Sequence, residues 1–122
     1  MRRRFGVGAV RRGELWWGSP RVPGVASKRR PFLIVSDDVF NTNPAYRKIL
    51  VVHLTTARRA GGPYRWEVVL PRDVGGLPLG SVIKCNEVYT LFKEQLVEQI
   101  GRIPAKHVSD VDHALRVALG MT

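Results

Sequence analysis

Two residues have an obvious chemical use, and both stand at the ends of apolar runs. Arg29-Arg30-Pro31 leads into Phe32-Leu33-Ile34-Val35-Ser36, and Ile49-Leu50-Val51-Val52-His53-Leu54 ends in Thr55-Thr56. Arginine carries a permanent charge on a planar fork that fits a phosphate. Threonine adds one rotatable hydroxyl donor. Arg30 precedes a proline, which disfavours helix there and favours an extended entry to the strand. Arg30 and Thr55 are therefore candidates to converge on one anion.

Other chemistries find less material. The histidines are His53, His107 and His113. His107 and His113 stand six apart in a helical pattern and point to different faces, which suits surface positions. His53 lies out of phase with Val52 and Leu54, so it faces solvent or a groove. No histidine–carboxylate set has metal-ligand spacing. A glycine-rich phosphate loop and a serine-hydrolase elbow are both absent. Trp16 and Trp17 alternate in a strand, and the one facing outward can stack a base. Trp16 is taken as that residue.

The elements that must position these residues follow from periodicity. Short apolar runs predict strands at Glu14–Trp17, Phe32–Ser36, Ile49–Thr55, Trp66–Leu70, Ser81–Val88 and Leu96–Ile103. The third and fourth of these are expected to pair as a hairpin. Asp37–Asn41 reads as a short helical turn capped by Ser36 or Asp37. Val108, Val111, Leu115, Ala118 and Leu119 follow helical spacing, with Pro104 ahead and Gly120 behind. The expected fold is a small α+β domain of five to seven antiparallel strands, curled into a sheet or small barrel and covered by one C-terminal amphipathic helix.

Charge is unevenly spread. The chain of 122 residues has 20 Lys+Arg against 10 Asp+Glu, a net of +10. Through Arg65 there are 14 basic and 3 acidic residues, whereas from Trp66 onward there are 6 and 7. Arginines outnumber lysines 15 to 5, which favours phosphate recognition. The basic excess thus accompanies Arg30 and Thr55, and nucleic acid is the expected polyanion. Lys28, Arg29, His53, Thr56, Arg58 and Arg59 are expected to contact it. The basic segments Gly18–Lys28 and Ala57–Tyr64 are expected to flank the site and read bases. No apolar run is long enough to span a bilayer. The basic N-terminus lacks a signal-peptide core. A flexible tail is expected over residues 1–10 and one domain over 11–122. Cys85 is the sole cysteine, so no internal disulfide forms and a cytoplasmic location is the default.

In order and spacing, RRGELWW, RRPFLIVS, ILVVHLTT, WEVVLP, GSVIKCNEV and the IGRI strand before the terminal helix resemble the MazF/PemK family of bacterial toxins. The resemblance spans about Arg11 to Gly120. It implies an SH3-like barrel, a homodimer and a ribonuclease that cuts single-stranded mRNA at short sequences. It further implies cleavage without metal or cofactor, leaving a 2′,3′-cyclic phosphate and a 5′-hydroxyl. A cognate MazE-like antitoxin with an acidic, flexible tail would block the site. Carried over by motif, the catalytic pair is Arg30 and Thr55, the first of the two threonines. Two departures stand out. Pro23-Gly24-Val25-Ala26-Ser27 lacks the acid that many relatives carry in the first loop, and Asn86-Glu87 stands where relatives often have Glu-Gln.

In such a reaction the substrate's 2′-hydroxyl is the nucleophile. Arg30 would stabilise the phosphorane and serve as acid to the leaving oxygen, and Thr55 would donate to a non-bridging oxygen. Arginine stays protonated and makes a poor base. The base is left open between the substrate itself and His53. A gyrase-binding toxin of the CcdB type and a non-catalytic nucleic-acid-binding module stand as alternatives.

Overall fold

A computed structural model describes residues 9–20, 28–56 and 60–121. Six strands form, β1 (Glu14–Gly18), β2 (Arg30–Ile34), β3 (Lys48–Thr55), β4 (Glu67–Leu70), β5 (Ser81–Phe92) and β6 (Leu96–Arg102). Two helices accompany them, α1 (Asp38–Asn41) and α2 (Ala105–Ala118). The strands make one antiparallel sheet in the order β4-β5-β3-β2-β1-β6. The sheet curls without closing, since its edge strands β4 and β6 lie at opposite ends of that order. This is the expected small α+β fold with a C-terminal helix.

Side-chain alternation builds an apolar cluster on each face. On β3, Val52 and Leu54 join Leu15, Leu33 and Ile83 in one cluster, and α2 covers it with Val111 and Ala114. Ile49 and Val51 join Trp16, Phe32, Ile34 and Leu91 in the other. Val10 is buried in this second cluster, so packing begins inside the segment read as a tail. Residues 1–8 lie outside the described residues.

The pairing of β4 corrects the expected hairpin. β4 pairs with β5, not with β3. β3 has no free edge to offer, because β2 and β5 occupy its two sides. The β5 strand also runs further than expected, to Phe92, and it is bulged. The β3–β5 register passes from Val52↔Val88 to His53↔Lys84 and leaves Cys85, Asn86 and Glu87 without partners on β3. Cys85 turns into the core and its N–H bonds the Trp66 carbonyl at 3.1 Å.

Glycines hold the segment between β4 and β5 against β6. A Cβ at Gly101 would lie 2.0 Å from the Gly75 carbonyl oxygen, so the two backbones touch where only glycine fits. At Gly76, with φ +98, a Cβ would lie 2.6 Å from the Ile100 carbonyl oxygen. This contact seats Leu77 in the core and carries Pro78 and Leu79 toward the ends of β2 and β3. Asp37 caps α1 by accepting from the Val39 N–H at 2.8 Å.

Candidate active site

The strand register brings the two opening residues together. Phe32 pairs with His53, Leu33 with Val52 and Ile34 with Val51. Continued two residues outward, the same antiparallel step sets Arg30 opposite Thr55. Both then share the sheet face of Phe32 and His53. The ends of these strands open into a cleft of about 360 Å³ lined by Arg30, His53, Thr55 and Thr56. Lys28, Arg29, Trp17 and Pro31 line it too. Leu77, Pro78 and Leu79 add a wall from the segment before β5. A second hollow of about 390 Å³ shares Arg30 and His53 with the first and adds Phe32, Glu87 and Tyr89. Arg30 and His53 form the ridge between the two.

The cations here differ in how they are held. Arg29 reaches Glu98 at 3.4 Å and lies 5.5 Å over the Trp17 ring. Among the described residues no carboxylate pairs with Arg30, which leaves its fork for an incoming anion. His53 points Nδ1 toward Glu87 Oε1 at 3.7 Å. Burial holds the His53 pKa below its ordinary value, and Arg30 and Lys84 push the same way, while Glu87 opposes them. The imidazole is therefore neutral at neutral pH and can accept a proton. Among the described residues no cluster of three or more His, Cys, Asp or Glu converges to hold a metal ion.

Most of the candidate residues that are described meet in this cleft: Arg30, Thr55, Thr56, Lys28, Arg29 and His53. Trp16 does not. It is 1% exposed, packs in the second cluster and donates its indole N–H to Glu14 at 3.0 Å, so it has no face to offer a base. The tryptophan that lines the cleft is Trp17. Arg58 and Arg59 lie outside the described residues, as do Arg21–Ser27. Sequence reasoning did not single out Leu77–Leu79, and it noted Glu87 as a departure from the family pattern without giving it a site role. A Gly75-Gly76 pair is a local turn signal, but its docking on Gly101 is a long-range contact with no local signature.

Comparison with known proteins identifies the family. Residues 11–119 match the family described as PemK-like, MazF-like toxin of type II toxin-antitoxin system. Endoribonuclease MazF6 of Mycobacterium tuberculosis and Endoribonuclease MazF2 of Mycobacterium bovis are each 30% identical over 114 residues, covering 92% of this chain and 98% of theirs. A solved endoribonuclease from a mycobacterial species superposes with a TM-score of 0.73 at 26% identity, covering 93% of each chain. A mycobacterial endoribonuclease in complex with its cognate antitoxin shares the fold, at TM-score 0.76, 24% identity and coverage of 93% and 98%. The chain thus belongs to the PemK-like, MazF-like toxins of type II toxin–antitoxin systems.

Proposed function

We propose that this endoribonuclease toxin cuts single-stranded RNA, mRNA foremost, at short sequences and without a metal ion, leaving 2′,3′-cyclic phosphate and 5′-hydroxyl ends. The observation that carries this reading is that Arg30 and Thr55, from adjacent strands, line one cation-rimmed cleft. The two donors fit a phosphate whose charge grows as the 2′-oxygen adds to it. Arg30 binds that charge and protonates the departing 5′-oxygen, and Thr55 donates to a non-bridging oxygen. Lys28, Arg29 and Thr56 steer the strand. Trp17 supplies apolar lining.

The chain acts in the cytoplasm as a homodimer, held in check by a MazE-like antitoxin whose acidic tail fills the cleft. Exposed Leu50, Val88, Tyr89 and Phe92 on the β3–β5 ribbon give apolar surface for assembly. The relatives named above favour this reading over a gyrase-binding toxin or a non-catalytic binding module.

Mapping of new 5′-hydroxyl ends on a long mixed RNA tests the activity and gives the cut sequence together. Arg30→Ala and Thr55→Ala should each lower cleavage by about a hundredfold or more, the scale of one transition-state donor. Full activity in both purified variants overturns the assignment.

A further inference from the structure

The reaction needs a group to take the 2′-hydroxyl proton, and the side chains around the cleft narrow the choice. Arg29, Arg30 and Lys28 have side chains that donate and offer no acceptor. Thr55, Thr56 and Ser81 are hydroxyls of very weak basicity. The segment Gly18–Lys28 contains no Asp or Glu. Among the described lining residues, His53 is the side chain in the cleft that can accept a proton.

The bulge in β5 gives this histidine a partner. It lies opposite the step from Val52 to His53 and sets Glu87 free of the ladder beside the His53 ring. Bulges commonly re-aim a side chain next to an active site. Glu87 Oε1 faces His53 Nδ1 at 3.7 Å, longer than a hydrogen bond and of the kind that tightens when substrate arrives. Nε2 makes no hydrogen bond among the described residues.

We propose that His53 is the general base of the reaction and that Glu87, delivered by the β5 bulge, is its positioning residue. The inference rests on the ribonuclease reading of the same cleft. His53 Nε2 takes the proton from the 2′-hydroxyl as the O2′–P bond forms. The P–O5′ bond breaks, and the 5′-oxygen leaves as a hydroxyl with a proton from Arg30. The proton balance closes when His53 passes its proton to water and Arg30 regains one. Glu87 accepts from Nδ1–H, which fixes the tautomer with Nε2 unprotonated and stabilises the imidazolium that forms.

The charges around His53 set its pH response. Glu87 and Lys84 face it from β5 and Arg30 from β2. Lys84 is itself bonded to Glu67 of β4 at 2.6 Å, and the Tyr89 hydroxyl stands 3.4 Å from Glu87. Burial and the two cations outweigh Glu87, so the base stays unprotonated to a lower pH than an ordinary histidine.

The test is the pH profile of single-turnover cleavage, from about pH 5 to about pH 9, on an oligoribonucleotide carrying a mapped cut site. The wild-type rate should fall on the acid side with a midpoint below 6.5, the ordinary histidine value. His53→Gln should lower the plateau by about 10² to 10⁴ and erase that acid limb. Glu87→Gln should lower the rate less and move the limb to lower pH, because the carboxylate that raises the histidine pKa is gone. A merely structural Glu87 would leave the limb in place. Should His53→Gln fail to fold, Glu87→Gln decides alone, and an unmoved limb overturns the proposal. An unchanged limb in folded His53→Gln, or a wild-type profile without one, overturns it too. Arg30→Ala separates the two levels. Cleavage lost in Arg30→Ala but unaltered in His53→Gln removes the base and keeps the ribonuclease. No cleavage by the wild type, or full cleavage by Arg30→Ala, removes both.

Discussion

In the proposed reaction, Arg30 and Thr55 would divide one developing charge between two kinds of donor. The guanidinium supplies a fixed charge and a fork, and the hydroxyl supplies a single directional bond. The two therefore tolerate change differently. Thr55→Ser keeps the hydroxyl and should retain cleavage within about tenfold, whereas Thr55→Val keeps the shape and should lose about a hundredfold, as expected for one donor removed. Single-turnover rates on a mapped substrate check this, and equal rates for the two variants would assign Thr55 to packing alone. Their places at the ends of apolar strands made these two residues candidates, and the family resemblance singled them out as a pair. The tryptophans were not legible in the same way. Their alternation said that one faces each side of β1, but both sides of this curled sheet are packed. Glu14 decides the matter by capturing the Trp16 indole N–H in the second cluster. Trp17, one position on, points toward the first cluster at the strand's open end and meets Arg29 there.

At the level of elements, the site depends on contacts between segments distant in the chain. The strands and α2 were readable from period and turn residues, since each is a local pattern. Partner choice was not. β4 follows β3 in sequence, yet β3 is the central strand and both its edges are taken. The β5 bulge was equally hidden, because the expected strand Ser81–Val88 holds no glycine or proline to mark a break in its register. Its consequence, Glu87 beside His53, appears only when the register of β3 is known. The Leu77–Leu79 wall of the cleft likewise depends on Gly75 and Gly76 docking against β6. Gly101→Ala would drive a methyl into the Gly75 carbonyl, so one backbone segment must move. We expect a loss of about 1–3 kcal/mol, the range for overpacking, together with weaker RNA cleavage as Leu77–Leu79 shift. Gly61→Ala is the matched control, because a Cβ there meets nothing within 4 Å. It should change stability by less than about 0.5 kcal/mol. Urea unfolding of both proteins reads the difference, and similar midpoints would show that the β6 contact does not hold the wall.

Taken as a whole, the molecule separates its charge along the chain, and the fold gathers Lys28, Arg29 and Arg30 of the basic half at one cleft. β1, β2 and β3 come from the strongly basic half, and the open ends of β2 and β3 carry Lys28, Arg29 and Arg30. The helix α2 comes from the near-neutral half, where Asp110 and Asp112 offset Lys106 and Arg116. Arg12 ties the halves through an ion pair with Asp112 at 2.8 Å. RNA should therefore feel a local field at the cleft rather than a uniform positive surface. Counterion release makes this measurable, because each phosphate neutralised on a single strand adds about −0.7 to the slope of log K against log salt. Binding of an uncleavable oligonucleotide, with a 2′-deoxy sugar at the cut site, isolates affinity from turnover. Lys28→Ala should reduce the steepness of that slope by about 0.7 if Lys28 meets one phosphate. Lys106→Ala removes the same formal charge from the exposed side of α2 and should leave the slope unchanged. Net charge alone would make the two substitutions equivalent, and equal slopes for both variants would therefore refute a localised phosphate-binding face.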